Sequence, residues 1–168
     1  FVEAHVPHLW TYYCCGQYKE VTNMFIGMPS WRNRILGWQL FKYDIEGFLQ
    51  WGFNFYNSHL SLETVDPYAT STAGGWVPGG DPYVVYPGKD GNALPSLRLE
   101  VFREALQDLR ALEALTEKMQ KSSANPREAV VIALGLEELR FDKFNADHTY
   151  LIRLREKINR MLAGENYD

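Results

Sequence analysis

The chain has 168 residues, 46% of them hydrophobic, enough for one domain with a real core. Its 17 Lys and Arg against 21 Asp and Glu give a net charge of -4 with no basic block, which argues against a nucleic-acid partner. No stretch approaches about eighteen uncharged apolar residues, so neither a transmembrane helix nor a membrane partner is expected.

The chain opens on Phe1 rather than Met and shows no basic and apolar leader, so a processed or trimmed piece of something longer is expected. "LWTYYCC", residues 9 to 15, is rich in strand formers and stops at Gly16, which predicts a short buried strand. Cys14 and Cys15 point to opposite faces of an extended chain and are expected to be free thiols. A loop leads to Pro29, and "SWRNRILGWQLFKYD" predicts a helix over 30 to 44 capped by Ser30. Trp31, Ile35, Trp38 and Phe41 recur at helical spacing, and Leu36, Leu40 and Tyr43 widen the apolar surface. "GFLQWGFNFY", residues 47 to 56, is apolar on both faces and predicts a central parallel strand.

Residues 57 to 81 are loaded with Ser, Thr, Gly and Pro, and a loop of that length in a compact domain is usually functional or disordered. "PYVVYPG" predicts a third strand near 83 to 86, and "KDGNALP" a turn into a helix over 96 to 119 capped by Ser96. That helix carries Leu99, Phe102, Leu106, Leu109, Leu112 and Leu115 on one stripe. Strands alternating with helices predict an α/β fold, a parallel sheet or barrel with helical crossovers. Beyond about residue 120 an appended helical hairpin is expected, giving segments 1-120 and 121-168. Asn125, Pro126 and Glu128 start its first helix, which continues through "AVVIALGLEELRF". Leu151, Leu154, Ile158 and Met161 mark the second, from about Asp147 to just before Gly164.

Candidate chemistry is sparse. His5, His8, His59 and His148 are scattered and form no ligand pair, so no metal is expected. "GGWVPGGD" and "PGKDG" lack the spacing of a phosphate loop and predict turns, and no cofactor is expected. Glu137 and Glu138 predict a solvated face, and Cys14 has no base near it in sequence. Arg98 opposes the dipole of its own helix, which calls for a carboxylate or ligand partner such as Glu100.

In parallel α/β folds ligands meet the carboxyl ends of strands, which selects Asn54 and Tyr56, Tyr12 to Cys14, and Tyr86. Alternation puts Gln50, Gly52, Asn54 and Tyr56 on one face and Leu49, Trp51, Phe53 and Phe55 on the other, the second packing on helices. The amide face then offers hydrogen bonds to a polar, ring-shaped ligand, or else Asn54 is a structural amide satisfied by neighbouring backbone.

"LWTYYCC", "RNRILGWQLFKYDIEGFLQWGFNFYN", "DPYVVYPG" and "SLRLEVFREALQDLRAL" resemble the C-terminal part of the glycoside hydrolase family 123 catalytic domain, also catalogued as DUF4091. The resemblance covers about residues 9 to 120. It implies a (β/α)8 TIM-type barrel, of which this chain would supply the last three strands. It also implies β-N-acetylgalactosaminidase-like, substrate-assisted retaining hydrolysis of N-acetylhexosaminides. In that chemistry an Asp orients the substrate acetamido group and a Glu is the general acid. No such Asp-Glu pair stands at a strand end here, so it is expected outside this chain, and this piece alone is expected to be inactive. The expected partners are a glycan substrate and either the rest of the full-length chain or a second copy. Substrate contacts are expected from Tyr12, Asn54, Tyr56 and Tyr86, with Trp76 as a lid or stacking platform for a sugar ring. The alternative is a non-catalytic carbohydrate-binding or structural domain.

Overall fold

The computed structural model describes residue 4 and residues 6–165; His5 lies outside the described residues. Four helices and two small two-stranded sheets form a mixed α/β fold. The order is β1 (Trp10–Tyr13), α1 (Arg32–Lys42), β2 (Gly47–Gln50), β3 (Val85–Pro87), β4 (Ala93–Pro95), α2 (Leu97–Met119), α3 (Pro126–Leu134) and α4 (Tyr150–Ala163). No closed barrel forms among the described residues.

β1 and β2 pair in parallel, Trp10 opposite Gly47 and Tyr13 opposite Gln50, with α1 between them in the chain. The expected strand over 47 to 56 is thus cut to its first four residues. The reason is its partner: β1 stops at Tyr13, and the chain turns at once through a Gln17 N–H to Cys14 carbonyl bond of 3.3 Å. Having no ladder to follow, the chain beyond Gln50 pairs with segment 82–85 instead. Phe55 N–H donates to the Pro82 carbonyl and Val84 N–H to the Phe53 carbonyl, both at 2.9 Å.

The expected third parallel strand is also corrected, because β3 pairs antiparallel with β4. Asp90-Gly91 makes the connecting turn, with Gly91 at φ 81, a conformation costly for other residues. "KDGNALP" is therefore a hairpin turn and its return strand.

α1 begins one residue later than a Ser30 cap predicts: Trp31 is its N-cap, with no side-chain capping bond. Eight of its residues are buried, so the helix is covered on most of its circumference. A Cβ on Gly37 would fall 2.0 Å from the Ala105 carbonyl oxygen, so a glycine is what lets α1 and α2 cross this closely. Ser96 does cap α2, accepting from Leu99 N–H at 3.3 Å. Leu112 and Leu115 of its stripe are buried, whereas Leu106 is 40% exposed and Ala105 takes the inward position. α3 is shorter than expected and ends at Leu134, because Gly135 turns left-handed at φ 68.

One hydrophobic cluster joins all four helices through Trp38, Phe41, Leu112, Leu115, Val130 and Ile158. A second joins the parallel pair to α1 and α2 through Tyr13, Leu36, Leu40 and Ile45, with Phe48 and Phe102 against it. Phe48 lies 6.0 Å from Tyr13 and 5.7 Å from Phe102, ring to ring, so Phe48 faces the helices. The expected face assignment is reversed. Leu49 stands 48% exposed beside Trp10 at 63% and Tyr12 at 58%, leaving one face of the parallel pair apolar and uncovered.

Within the helical core lies a buried carboxylate. Asp108 on α2, its side chain fully buried, accepts from Arg34 Nε at 2.6 Å and Nη2 at 3.0 Å, Trp38 Nε1 at 2.9 Å and Arg155 Nη1 at 2.8 Å. It ties α1, α2 and α4 at one point. Removing one member of such a cluster leaves the others desolvated and unpaired, which costs about 3 to 5 kcal/mol. Asp108→Ala is therefore expected to lower stability by about 3 kcal/mol or more in urea titration. A loss under about 1 kcal/mol would show that water replaces the carboxylate freely.

Candidate functional site

The site is built where the parallel pair ends, by two loops gathered on one cation. Arg98 in the first turn of α2 is 6% exposed, and it meets carbonyls rather than the carboxylate its position suggests. Its Nη1 donates to the Met24 carbonyl at 3.1 Å and to the Gly80 carbonyl, and its Nη2 to the Tyr83 carbonyl at 2.9 Å. Burial pushes the Arg98 guanidinium down from its ordinary value, opposed by the nearby Tyr86, Tyr83 and Asp81. Gly80 sits at φ 89, and a Cβ there would fall 2.5 Å from Arg98 Nη1, so only glycine lets the backbone come this near.

Segment 22–24 is held from the other side. Tyr13 hydroxyl to Thr22 hydroxyl is 3.0 Å and Thr22 to Gln39 Oε1 2.8 Å, and Gln39 Nε2 donates to the Arg140 carbonyl at 2.8 Å. Gln39 Oε1 can only accept, so Thr22 donates to it and accepts from Tyr13. Asn23 Nδ2 donates to the Cys14 and Gln17 carbonyls at 2.9 and 3.0 Å, fixing the turn after β1.

The clamped segment carries Asp81, 2% exposed. Its Oδ1 accepts from Trp51 Nε1 at 3.3 Å, while its Oδ2 is buried without a hydrogen-bond partner. Burial pushes this carboxyl up to about 6, against the opposing effects of the Trp51 bond and the Arg98 charge. Cys15 is raised in turn, by burial first and then by Cys14 and Asp81. Gly52 makes the approach possible, since a Cβ there would fall 1.9 Å from the Asp81 carbonyl oxygen.

Three rings of the stretch between β2 and β3 form a corner at Trp51, the partner of Asp81. Trp51, directly after β2, lies 5.8 Å from Phe55 and 6.0 Å from Trp76, and Phe55 lies 6.3 Å from Trp76. His59 stands 5.0 Å from Trp76 on the outer side. Trp76 is 40% exposed, so this apolar surface is open to solvent. Sequence alternation misses Trp51, assigning it to the helix side, and misses Asp81, which lies outside any strand; the one available signal for Asp81 is its place in the Gly-rich loop.

The expected site residues fall into separate places. Trp76 joins the corner. Tyr56 and Tyr86 join a second group around the fully buried Tyr83, 5.6 and 5.1 Å from it. Tyr56 hydroxyl donates to the Val85 carbonyl at 2.8 Å, which commits it to structure. Tyr86 lines an open groove of about 540 Å³ with Pro67, Tyr68, Thr70, Ser71 and Leu94. Tyr83 hydroxyl lies 2.8 and 2.9 Å from the Pro67 and Thr70 carbonyls and anchors the long loop. Asn54 is exposed and pairs with Tyr83 in an isolated antiparallel bridge. Tyr12 stands on the uncovered face of β1. Cys14 and Cys15 are free thiols. Among the described residues no group of three or more His, Cys, Asp or Glu could hold a metal ion.

An indole corner against a buried carboxyl, at the carboxyl end of a parallel pair, is an arrangement suited to a ring with one apolar face and polar edges. The family model described as glycoside hydrolase 123, catalytic domain, matches residues 2–115. The chain belongs to that family. No curated protein matches it.

The raised carboxyl of Asp81 gives a stability prediction. The folded state holds this proton up to about 6 while the unfolded chain releases it near 3.8, so the contribution is complete below 3.8 and is lost as pH rises through about 6. Asp81→Asn removes the buried charge, and the melting temperature of Asp81→Asn minus that of the parent is expected to rise between pH 4 and pH 8. A difference that stays flat or falls contradicts the burial of a charge at Asp81.

Proposed function

We propose that the chain is the C-terminal part of a (β/α)8-barrel glycoside hydrolase acting on N-acetylhexosaminides. The observation that carries the reading is the meeting of Trp51, Phe55 and Trp76 beside buried Asp81 where β2 ends. Indole faces offer apolar contact to the C–H face of a pyranose and leave its hydroxyls free to hydrogen-bond at the edge. The membership in a hydrolase family supports the reaction class.

Support for the barrel comes from the sheet. β1 and α1, then β2 and, after the loop and the β3–β4 hairpin, α2 make two strand and helix units with parallel strands, and the face of the pair away from the helices is apolar. Parallel sheets occur almost only with both faces covered. Trp10, Tyr12 and Leu49 are then covered by the rest of the full-length chain or by a second copy. Residues 1-120 belong to the barrel, and 121-168 form an appended helical hairpin packed on its outer helices.

The reaction is substrate-assisted retaining hydrolysis, as in β-N-acetylgalactosaminidases. The acetamido oxygen attacks the anomeric carbon, a Glu protonates the leaving oxygen and an Asp orients the acetamido group, both on a barrel strand outside this chain. This chain contributes the sugar contacts: Trp76 with Trp51 and Phe55 as the platform, and Asn54 and Tyr86 as the amide and phenol groups of the loop face, whereas the Tyr56 hydroxyl is taken by the Val85 carbonyl and Tyr12 lies on the sheet face that the rest of the chain or a second copy covers.

The test uses the full-length protein with aryl N-acetylhexosaminides. Hydrolysis is expected only when the acetamido group is present, and Trp76→Ala is expected to lower kcat/KM roughly tenfold, about 1.4 kcal/mol. Equal hydrolysis of the plain aryl hexoside, or an unchanged rate in Trp76→Ala, contradicts the reading.

A further inference from the structure

Trp51 is the ring of the corner that stands directly after β2, whereas Phe55 and Trp76 lie further along the chain. An indole next to a strand end can rotate about two side-chain torsions, and its Nε1 hydrogen bond is the directional contact that selects one orientation. That bond goes to Asp81 Oδ1 at 3.3 Å. Asp81 itself has little freedom. Its neighbours Gly80 and Tyr83 are both held by Arg98 through their carbonyls. Its own carbonyl is pressed against Gly52, the residue after Trp51.

A carboxyl that is 2% exposed, with one oxygen unpartnered, is a costly choice for packing alone, where an apolar side chain would serve better. Its attraction to Arg98 acts without a hydrogen bond, because Arg98 gives its donors to backbone carbonyls. The group the carboxyl does serve is the indole N–H.

We propose that Asp81 is a positioning residue that sets the ring plane of Trp51, and so makes the sugar platform one rigid surface across the strand end and the loop. This rests on the glycosidase reading. Asp81 touches no reacting atom; it acts through Trp51. An unpositioned indole still buries apolar area but presents its edge as often as its face. The consequence is weaker seating of the sugar rather than slower bond cleavage.

The test compares Asp81→Asn, which keeps an acceptor for the indole, with Asp81→Leu, which does not, in the full-length protein. Asp81→Leu is expected to raise KM for an aryl N-acetylhexosaminide roughly tenfold with kcat little changed, and Asp81→Asn to stay within about twofold of the parent. Trp51→Phe is expected to raise KM similarly, and adding Asp81→Leu to it to change nothing further, because both remove one interaction. Multiplying effects, or an Asp81→Asn as weak as Asp81→Leu, would overturn the proposal. A second readout does not depend on activity: the emission of Trp51, taken as parent minus Trp51→Phe, should shift in Asp81→Leu and hold in Asp81→Asn. An unshifted emission in a folded Asp81→Leu also overturns it. A parent that hydrolyses no N-acetylhexosaminide while these emission shifts appear sinks the glycosidase reading and leaves the positioning role standing.

Discussion

A buried arginine bonded to backbone carbonyls of two loops is the interaction on which the rest of the site depends. Loops that leave the surface carry carbonyls that must find donors, and a buried carbonyl without one costs as much as a lost hydrogen bond. Arg98 supplies donors for Met24, Gly80 and Tyr83 from a single point in the first turn of α2. A first-turn cation works against the helix dipole by up to about 1 kcal/mol. Charge-assisted hydrogen bonds at about 1.5 to 3 kcal/mol each outweigh that, which decides why an arginine stands here. Gly80 is thereby pinned beside Asp81, whose carboxyl is buried and bonded to Trp51.

A second polar centre does for the helices what Arg98 does for the loops. Asp108 gathers Arg34, Trp38 and Arg155, so α4 is joined to α1 and α2 by charge as well as by the cluster around Ile158. Lysines complete the docking of the last third. Lys42 donates to the Glu137 and Leu139 carbonyls at 2.6 and 2.7 Å, and Lys118 to the Met161 and Leu162 carbonyls at the end of α4. A cation at a helix C-terminus complements its dipole and its unpaired carbonyls at once. Gln39, bonded to Thr22 on one side and the Arg140 carbonyl on the other, connects this tail to the loop that reaches Arg98.

How much of this was legible in the sequence depends on the range of the interaction. α1, α2 and α4 carry their signals locally, in apolar spacing, in Ser96 as a cap and in Gly164 as a stop, and the structure has them within a few residues. The parallel pairing of β1 with β2 follows from the alternation of elements. The sequence signal for β2 runs too far because Trp51 to Tyr56 is apolar but for Asn54, while strand length is set by a partner 37 residues away that ends at Tyr13. Asp90-Gly91 signals the turn of the β3–β4 hairpin, but the short return strand Ala93–Pro95 carries no strand pattern of its own. Arg98 stands out in sequence as a cation in a first helical turn, but its partners are carbonyls, which every residue carries and no pattern can mark. Asp81 was hidden for the same reason, since a carboxylate in a Gly-rich stretch ordinarily stays in water. The family was legible from the strand and helix motifs, and the family model matches over residues 2–115.

The most direct measurement is a crystal structure of the full-length protein with N-acetylgalactosamine bound. The sugar ring is expected within about 4 Å of the Trp51 and Trp76 rings, at the carboxyl end of β2, with the Arg98 bonds to Gly80 and Tyr83 intact. A sugar seated elsewhere, such as the groove between Tyr68 and Tyr86, with the indole corner empty, would contradict the account.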